Sequence, residues 1–431
     1  MAELIRSLGL WGAMGIGIGA IIGTGIFVLI GIAAGIAGPA VILSFVIAGF
    51  VALLSGLSTA ELSSFIHEAG GSYIYTTKAF GEFPGFVVGW MKSFDYIVGA
   101  SAVSVGFAAY LTYFLGIPST TSMLVAIATV WPFILMLINL RGIKEAAWTN
   151  NILVSLKILA LLIFIIIGAS AIITKGDYSN YYPFFPTGLS GVMSGAAIIF
   201  FAFIGFNTIA VMAEEIKDPE KNVPRAILGA FAVCTLLYIA VSIVAVGVVN
   251  WQLLRTSGAP LEFALKTVTD NIFVLQFVAV SALFATTSVI MASIMGGSRA
   301  LFAMARKGVL PNSLATISRQ NVPVFTILLC GVIISGIVLL TNGNLEWLAS
   351  LFNFGTLLTF FFINLSLVKL RRTMPEARRG FNVPFYPYTP IVAMISCIVL
   401  AFYLNTNAII TAGFFLVLGI CVYYVNKKTS S

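Results

Sequence analysis

The sequence predicts an all-α membrane protein of twelve transmembrane helices, arranged as a five-plus-five inverted repeat with two additional C-terminal helices. Three observations carry the prediction. Of 431 residues, 60% are hydrophobic and only 9% charged, with a mean hydropathy of +1.06, whereas soluble domains carry about a quarter charged residues. Apolar stretches that can supply the roughly 20 residues a helix needs to cross a bilayer recur along the whole chain. Two of those stretches, five apart, are interrupted in their middles by Gly, Thr and Asn.

The stretches cover residues 10–37, 39–65, 83–116, 121–140, 147–174, 189–215, 225–249, 272–305, 323–341, 346–370, 388–405 and 408–425. The first begins after a single Arg and continues to Ala37 without a small-residue cleavage pattern. It is too long for a signal-peptide core and is expected to stay as a span. The polar segment around Tyr178 to Pro186 reads as a short loop, so residues 1–425 form one transmembrane domain and 426–431 a short cytoplasmic tail. Cys234, Cys330, Cys397 and Cys421 all fall in apolar stretches, where cysteine behaves as a small hydrophobe and no disulfide is expected.

Orientation follows from the basic residues, which cytoplasmic loops retain. With the N-terminus inside, nineteen of the 23 Lys and Arg residues fall on the cytoplasmic side, Arg6, Arg141, Lys144 and Arg319 among them. Lys175, Arg255 and Lys266 fall opposite, and Lys157 lies within a stretch. Both termini are therefore expected in the cytoplasm of a plasma-membrane protein. The net charge of +8 is spread singly and in pairs over short loops, which gives no basic stripe to track nucleic acid.

The first interruption is Gly19-Ala20-Ile21-Ile22-Gly23-Thr24-Gly25-Ile26-Phe27. Glycine weakens a helix from within, and lipid cannot satisfy a freed backbone. A break at membrane depth persists only where protein buries it or where it lines a cavity. Gly15, Gly19 and Gly23 are spaced by four, which equally serves close helix packing, whereas Thr24 and Gly25 fall outside that spacing and point to a ligand. The second interruption is Phe200-Phe201-Ala202-Phe203-Ile204-Gly205-Phe206-Asn207-Thr208. Five is odd, so the second copy of a five-helix repeat is upside down. Repeats over about 10–174 and 189–370 would then place paired breaks at a transport site. Such breaks suit a zwitterion, because the amides that start the outer half-helix favour a carboxylate while carbonyls ending the inner halves accept from an ammonium.

Lys157 either snorkels to the surface or acts within the bundle, where a central lysine costs about 3 kcal/mol and calls for compensation. Near the first break it would hold that helix against span 5 and span 8, around Thr286 and Thr287, and could titrate during transport. Asp95 reads either as an ion pair with Lys92 or as a supporting group in coupling. Glu214 and Glu215 end span 6 at the cytoplasmic face, and His67, the one histidine, sits in a polar loop. No hydrolase triad or His/Cys cluster is present, so neither an enzyme nor a metal or cofactor site is expected. No obligatory protein partner is evident.

The strings GAIIGTGIF, FFAFIGFNTIAVMAEEIKDPEKNVPRAI, GGSRALFAMARKGVLP and LRRTMPEARRGFNVPFYPYTPI resemble amino acid permeases of the amino acid, polyamine and organocation superfamily. They look most like prokaryotic proton-coupled, broad-specificity transporters of the ApcT type. The resemblance implies that backbone amides of Gly23, Thr24 and Gly25 hold a substrate carboxylate, with help from the Thr24 hydroxyl. Carbonyls of Ile21, Phe201, Ala202 and Ile204 would hold the ammonium, Phe203 would close over the substrate, and Asn207 would face its side chain. Lys157 matches the position where an ammonium replaces the sodium ion of sodium-coupled relatives. Many relatives carry Glu in place of Asp95, and Asp or Trp near Asn207. The expected function is secondary amino acid transport by alternating access, proton-coupled and favouring neutral substrates. An obligate exchanger and a transport-dead amino acid sensor are the alternatives.

Overall fold

The computed structural model describes residues 8–66, 68, 70–140, 147–316 and 323–430. Arg6, His67, Arg141, Lys144 and Arg319 lie outside the described residues. The first apolar stretch is split into α1 (Leu10–Ile21) and α2 (Ile30–Ala37), joined through a π-helical turn at Gly25–Leu29. There follow α3 (Val41–Phe65), α4 (Ser72–Phe80), α5 (Glu82–Phe114), α6 (Thr121–Leu140) and α7 (Ala147–Lys175). The sixth stretch is again split, into α8 (Gly188–Ile199) and α9 (Asn207–Val211). Next come α10 (Pro219–Val248), the short helices α11 (Trp251–Thr256) and α12 (Pro260–Lys266), and α13 (Ile272–Arg306). The chain ends with α14 (Val324–Leu340), α15 (Leu345–Thr373), α16 (Tyr388–Phe402) and α17 (Thr406–Ser430).

Nine helical stretches among the described residues are long and apolar enough to cross a membrane. One of them, Leu10–Phe65, is 56 residues long and covers the first two expected spans. Val324–Leu340 and Tyr388–Phe402 are apolar but shorter. The protein is thus an all-helical, multi-pass membrane protein. Three short helices, α4, α11 and α12, were not foreseen, because they lie in the polar connections. α10 begins six residues earlier than the apolar pattern. Pro219 at its first turn gives up no hydrogen bond there, and Glu220, Lys221 and Asn222 continue the helix beyond the apolar region.

Burial sorts the helices. In α5, 83% of the most apolar window is buried, against 22% in α17, so α5 is central and α17 peripheral. The outer helices carry exposed Leu, Ile, Val and Phe in quantity, such as Ile166, Ile173, Leu340 and Phe414. On a soluble protein such a surface would be a liability; here it faces lipid. The two halves of the first stretch pack with α3, α8, α9 and α10, while α5, α6, α13 and α14 form a second group. α7 contacts α1, α10 and α13, and α15 contacts α3, α5 and α8, so both bridge the groups.

On the face carrying the chain termini, Glu61 near the end of α3 is fully buried. Its carboxylate accepts from Arg371 Nε at 2.7 Å and Nη2 at 2.5 Å, lies 3.3 Å from Arg379 Nε, and accepts from the Val383 amide at 2.6 Å. The Arg371 guanidinium stacks on Tyr386 with its centre 4.1 Å from the ring. Two arginines and an amide thus satisfy one buried carboxylate and strap the connection after α15 onto α3. Removing one partner of such a pair leaves uncompensated buried charge, which costs about 3–5 kcal/mol. Glu61→Ala is therefore expected to lower the apparent melting temperature sharply in detergent, as followed by circular dichroism. Glu61→Gln, which keeps an acceptor for Val383, should lose less. Equal melting of Glu61→Ala and wild type would contradict this account.

Candidate substrate site at the crossing of two helix breaks

The ladder of α1 ends with the Ile22 amide donating to Ile18 at 2.8 Å, and Ile22 is extended, with φ −74° and ψ 100°. Hydrogen bonding resumes with Phe27 N to Gly23 O at 3.4 Å. Among the described residues, the amides of Gly23, Thr24, Gly25 and Ile26 have no backbone acceptor. They form the uncapped, buried start of a helix, with the positive end of its dipole. The Thr24 Oγ1 beside them is buried with no hydrogen-bond partner.

The second break has a different form. After α8 the chain makes a 3-10 turn at Phe200–Phe203, becomes extended at Ile204 and passes through Gly205 at φ 148°, a conformation side chains rarely allow. The Phe201 carbonyl accepts from the Ile204 amide at 3.4 Å. The carbonyls of Ala202 and Ile204 receive no backbone donor among the described residues. The Asn207 Oδ1 just beyond is also unpartnered.

These two breaks cross in contact. A Cβ added to Gly25 would collide with the Ala202 backbone, and one added to Gly205 would stand 2.5 Å from the Ala20 carbonyl carbon. Gly25 therefore has a packing reason of its own, which its sequence spacing did not suggest. The close approach brings Gly25 of one break against Ala202 of the other, and Gly205 against Ala20.

Carbonyls left over at the breaks are capped by buried side chains from other helices. Lys157 does not snorkel; it is buried, and its ammonium donates to Gly19 O at 2.9 Å and to Ser288 Oγ at 3.1 Å. Tyr238 donates to Ile21 O at 2.8 Å and Tyr110 to Phe27 O at 2.8 Å. From α15, Asn353 Nδ2 donates to Ala197 O at 2.6 Å and Ile198 O at 3.0 Å. Tyr238, Tyr110, Asn353 and Ser288 escaped sequence reading, although a lone Tyr or Asn deep in an apolar run is a visible signal.

Several expected residues sit elsewhere. Ile21 already accepts the Tyr238 hydroxyl, so one of its lone pairs is occupied. Thr286 donates back to Ala282 at 2.9 Å and Leu283 at 3.0 Å, and Thr287 accepts from Trp131 Nε1 at 3.3 Å. The hydroxyl that meets Lys157 belongs to the next residue, Ser288. Asp95 is bound within another pairing, 3.8 Å from Lys92 and 3.0 Å from Thr356 Oγ1, where it joins α5 to α15. Phe203 is packed among Phe45, Phe231 and Tyr238 at ring distances of 6.3, 5.6 and 5.3 Å. The span-6 ring on the other side is Phe201, with its centroid 4.4 Å from that of Phe352 of α15 and the rings tilted by 47°, and Phe352 in turn lies against Gly99 of α5.

Residues 8–425 match the family described as Amino acid permease. The Methylthioribose transporter of Bacillus subtilis (strain 168) is 36% identical over 445 residues, covering 100% of this chain and 95% of that protein. Branched-chain amino acid permease BcaP of the same organism is 34% identical, covering 100% of this chain and 94% of that one. Cationic amino acid transporter 2, vacuolar, of Arabidopsis thaliana is 32% identical over 87% of this chain and 61% of its own length. With the match spanning nearly every residue and including both breaks, the chain belongs to the amino acid permease family.

Proposed function

We propose that the chain is a secondary transporter that carries small to medium neutral amino acids across the cell membrane by alternating access, coupled to protons through Lys157. On this reading it has twelve spans, two inverted repeats of five, and both termini in the cytoplasm. The observation that carries the proposal is the crossing of two breaks, Gly25 against Ala202 and Gly205 against Ala20, with the amides of residues 23–26 and the carbonyls of Ala202 and Ile204 left without backbone partners among the described residues. A helix start binds a carboxylate and free carbonyls bind an ammonium, so one backbone arrangement accommodates both ends of an α-amino acid. The Thr24 hydroxyl is an unspent donor in the same place.

Neutral side chains are favoured because, among the described residues, no buried carboxylate bonds to the open amides and carbonyls of the breaks. Glu61 is held by two arginines, Asp95 by Lys92 and Thr356, and Glu262 lies on the face opposite the termini. A second reading comes from the relative named for methylthioribose, a polyol with no carboxylate; neutral acceptors such as the Asn207 and Asn353 carbonyl oxygens suit hydroxyls. A ligand panel separates the two. Ligand at 100 times its dissociation constant stabilises by about 2.7 kcal/mol, so leucine, alanine and phenylalanine are expected to raise the melting temperature, whereas methylthioribose and arginine are not. Stabilisation by methylthioribose alone would replace the amino acid reading, and uptake of radiolabelled leucine into proteoliposomes separates a transporter from a sensor.

On this reading selectivity rests on Phe201 and Phe352 rather than Phe203, supported by the packing of Phe203 among Phe45, Phe231 and Tyr238. Phe201→Ala is expected to reorder the affinities of alanine, leucine and phenylalanine. Phe203→Ala should mainly destabilise, by about 3–5 kcal/mol for a large buried ring, with the ranking kept. Reversal of these two outcomes would restore Phe203 as the ring over the substrate.

For coupling, a protonated Lys157 holds α1 through Gly19 and α13 through Ser288, and loss of the proton removes a charge-assisted bond worth about 1.5–3 kcal/mol. Lys157→Ala should flatten the dependence of initial uptake rate on pH while leaving ligand binding measurable. A variant with the wild-type pH profile would remove Lys157 from the coupling scheme.

A further inference from the structure

The buried carboxyl of Glu262 is not used by any of the chemistry above. It lies on α12, in the connection between α10 and α13, on the face opposite the chain termini. The side chain is 5% exposed and its Oε2 has no hydrogen-bond partner. Around it the short helix is clamped down: Pro260, Leu261, Ala264 and Leu265 are buried. Gly31 of α2 is so close that an added Cβ would stand 3.2 Å from Pro260. Gly258 approaches Ala109 of α5 in the same way, at 2.8 Å. α12 thus rests on the outer half of the first span and on the neighbouring turn of α5.

We propose that Glu262 is a proton-binding site on the extracellular face, and that its protonation is what allows α12 to pack down over the outer half of the first broken span. The proposal rests on the transporter reading and adds to it a second, outward-facing proton site, separate from Lys157. An ionised carboxylate with an unpartnered oxygen is costly in this position, whereas the neutral acid is not. The link to the break is short. α12 packs against the π-helical turn at Gly25–Leu29, and the Tyr110 hydroxyl of α5 holds the Phe27 carbonyl of that turn. Closing of α12 and seating of the outer half-helix are therefore one movement.

The charged surroundings do little to offset burial. Lys266, one turn along α12, is exposed and favours the ionised form weakly. Arg255 of α11 lies along Gly35, Lys175 at the end of α7 lines a surface cleft with Thr269 and Asn271, and Asp270 is exposed. Burial pushes the Glu262 carboxyl up to about 8, while a solvated glutamate titrates near 4.3. The packed form therefore binds the proton more tightly than the open form. As external pH rises from about 4.3 towards about 8, the ratio of packed to open α12 falls about tenfold per pH unit, and above about 8, where both forms are ionised, it levels off.

Hydrogen–deuterium exchange of the wild-type protein in lipid nanodiscs tests this without any substrate. With rates corrected for the intrinsic pH dependence of exchange, amides of residues 260–266 should lose about tenfold of their protection between pH 7 and pH 9.5, with the loss levelling off above about pH 8. Glu262→Gln, a neutral isostere of the acid, should keep its protection throughout, and Glu262→Asp should lose it as wild type does. Protection that is constant in wild type, or that falls equally in Glu262→Gln, overturns the proposal. Leucine uptake at clamped internal pH adds a functional arm, in which Glu262→Gln should hold its rate at external pH 9 where wild type falls. Absence of leucine uptake would count against the substrate reading, with the exchange result still deciding the role of Glu262.

Discussion

Everything in this structure depends on satisfying the backbone where two membrane helices break. In water a broken helix is capped by solvent; inside a bilayer each orphaned amide or carbonyl costs several kcal/mol. The last carbonyls of α1 show how the protein answers. Ile18 keeps its helical partner, Gly19 takes the Lys157 ammonium, Ala20 lies against Gly205, and Ile21 takes the Tyr238 hydroxyl. At the other break, Asn353 caps Ala197 and Ile198. Among the described residues the groups left uncapped at the breaks include the amides of residues 23–26 and the carbonyls of Ala202 and Ile204, which are groups a zwitterion can complete.

The capping bonds also connect the two packing groups. Lys157 joins α7 to α1 and α13, Tyr110 joins α5 to the π-helical turn, and Asn353 joins α15 to α8. Any rocking of the first group against the second strains these bonds. A neutral hydrogen bond contributes about 1 kcal/mol net and one to a charged group about 1.5–3 kcal/mol. Carrying a two-state equilibrium from 1:99 to 99:1 takes about 5.5 kcal/mol. A handful of capping bonds is therefore of the right size to hold one conformation and weak enough to be exchanged for ligand contacts.

Sequence alone exposed the breaks because glycine in an apolar run has no cheaper explanation, and it exposed Lys157 because a charge at that depth needs compensation. It failed where direction mattered. Thr286 and Thr287 lie two residues and one residue before Ser288, and successive helical residues point about 100° apart, so the right stretch of helix still pointed to the wrong hydroxyl. Phe201 and Phe203 lie in a tight 3-10 turn, and which ring faces α15 depends on that turn, which composition does not encode. The π-helical turn left no mark at all. Glu61 and Glu262 were passed over for another reason: each reads as an ordinary polar residue near the end of an element. The partner that gives Glu61 its meaning, Arg371, is 310 residues away.

The arrangement also explains why the centre of the protein holds so little formal charge. A charged residue at a helix centre costs about 2.5–3.5 kcal/mol on insertion, and a site built from Arg and Asp would meet that cost at each residue. Helix halves carry partial charge at their broken ends yet insert as apolar segments. The first break therefore supplies a positive end, at residues 23–26, without any cation. The one full charge nearby, on Lys157, is not spent on the ligand. It sits at the opposite pole, on the C-terminal carbonyls of α1, where the dipole is negative and a cation is compensated by the helix itself. Placed there, a change in its protonation alters how firmly α1 is held, while the free amides of residues 23–26 are left unchanged.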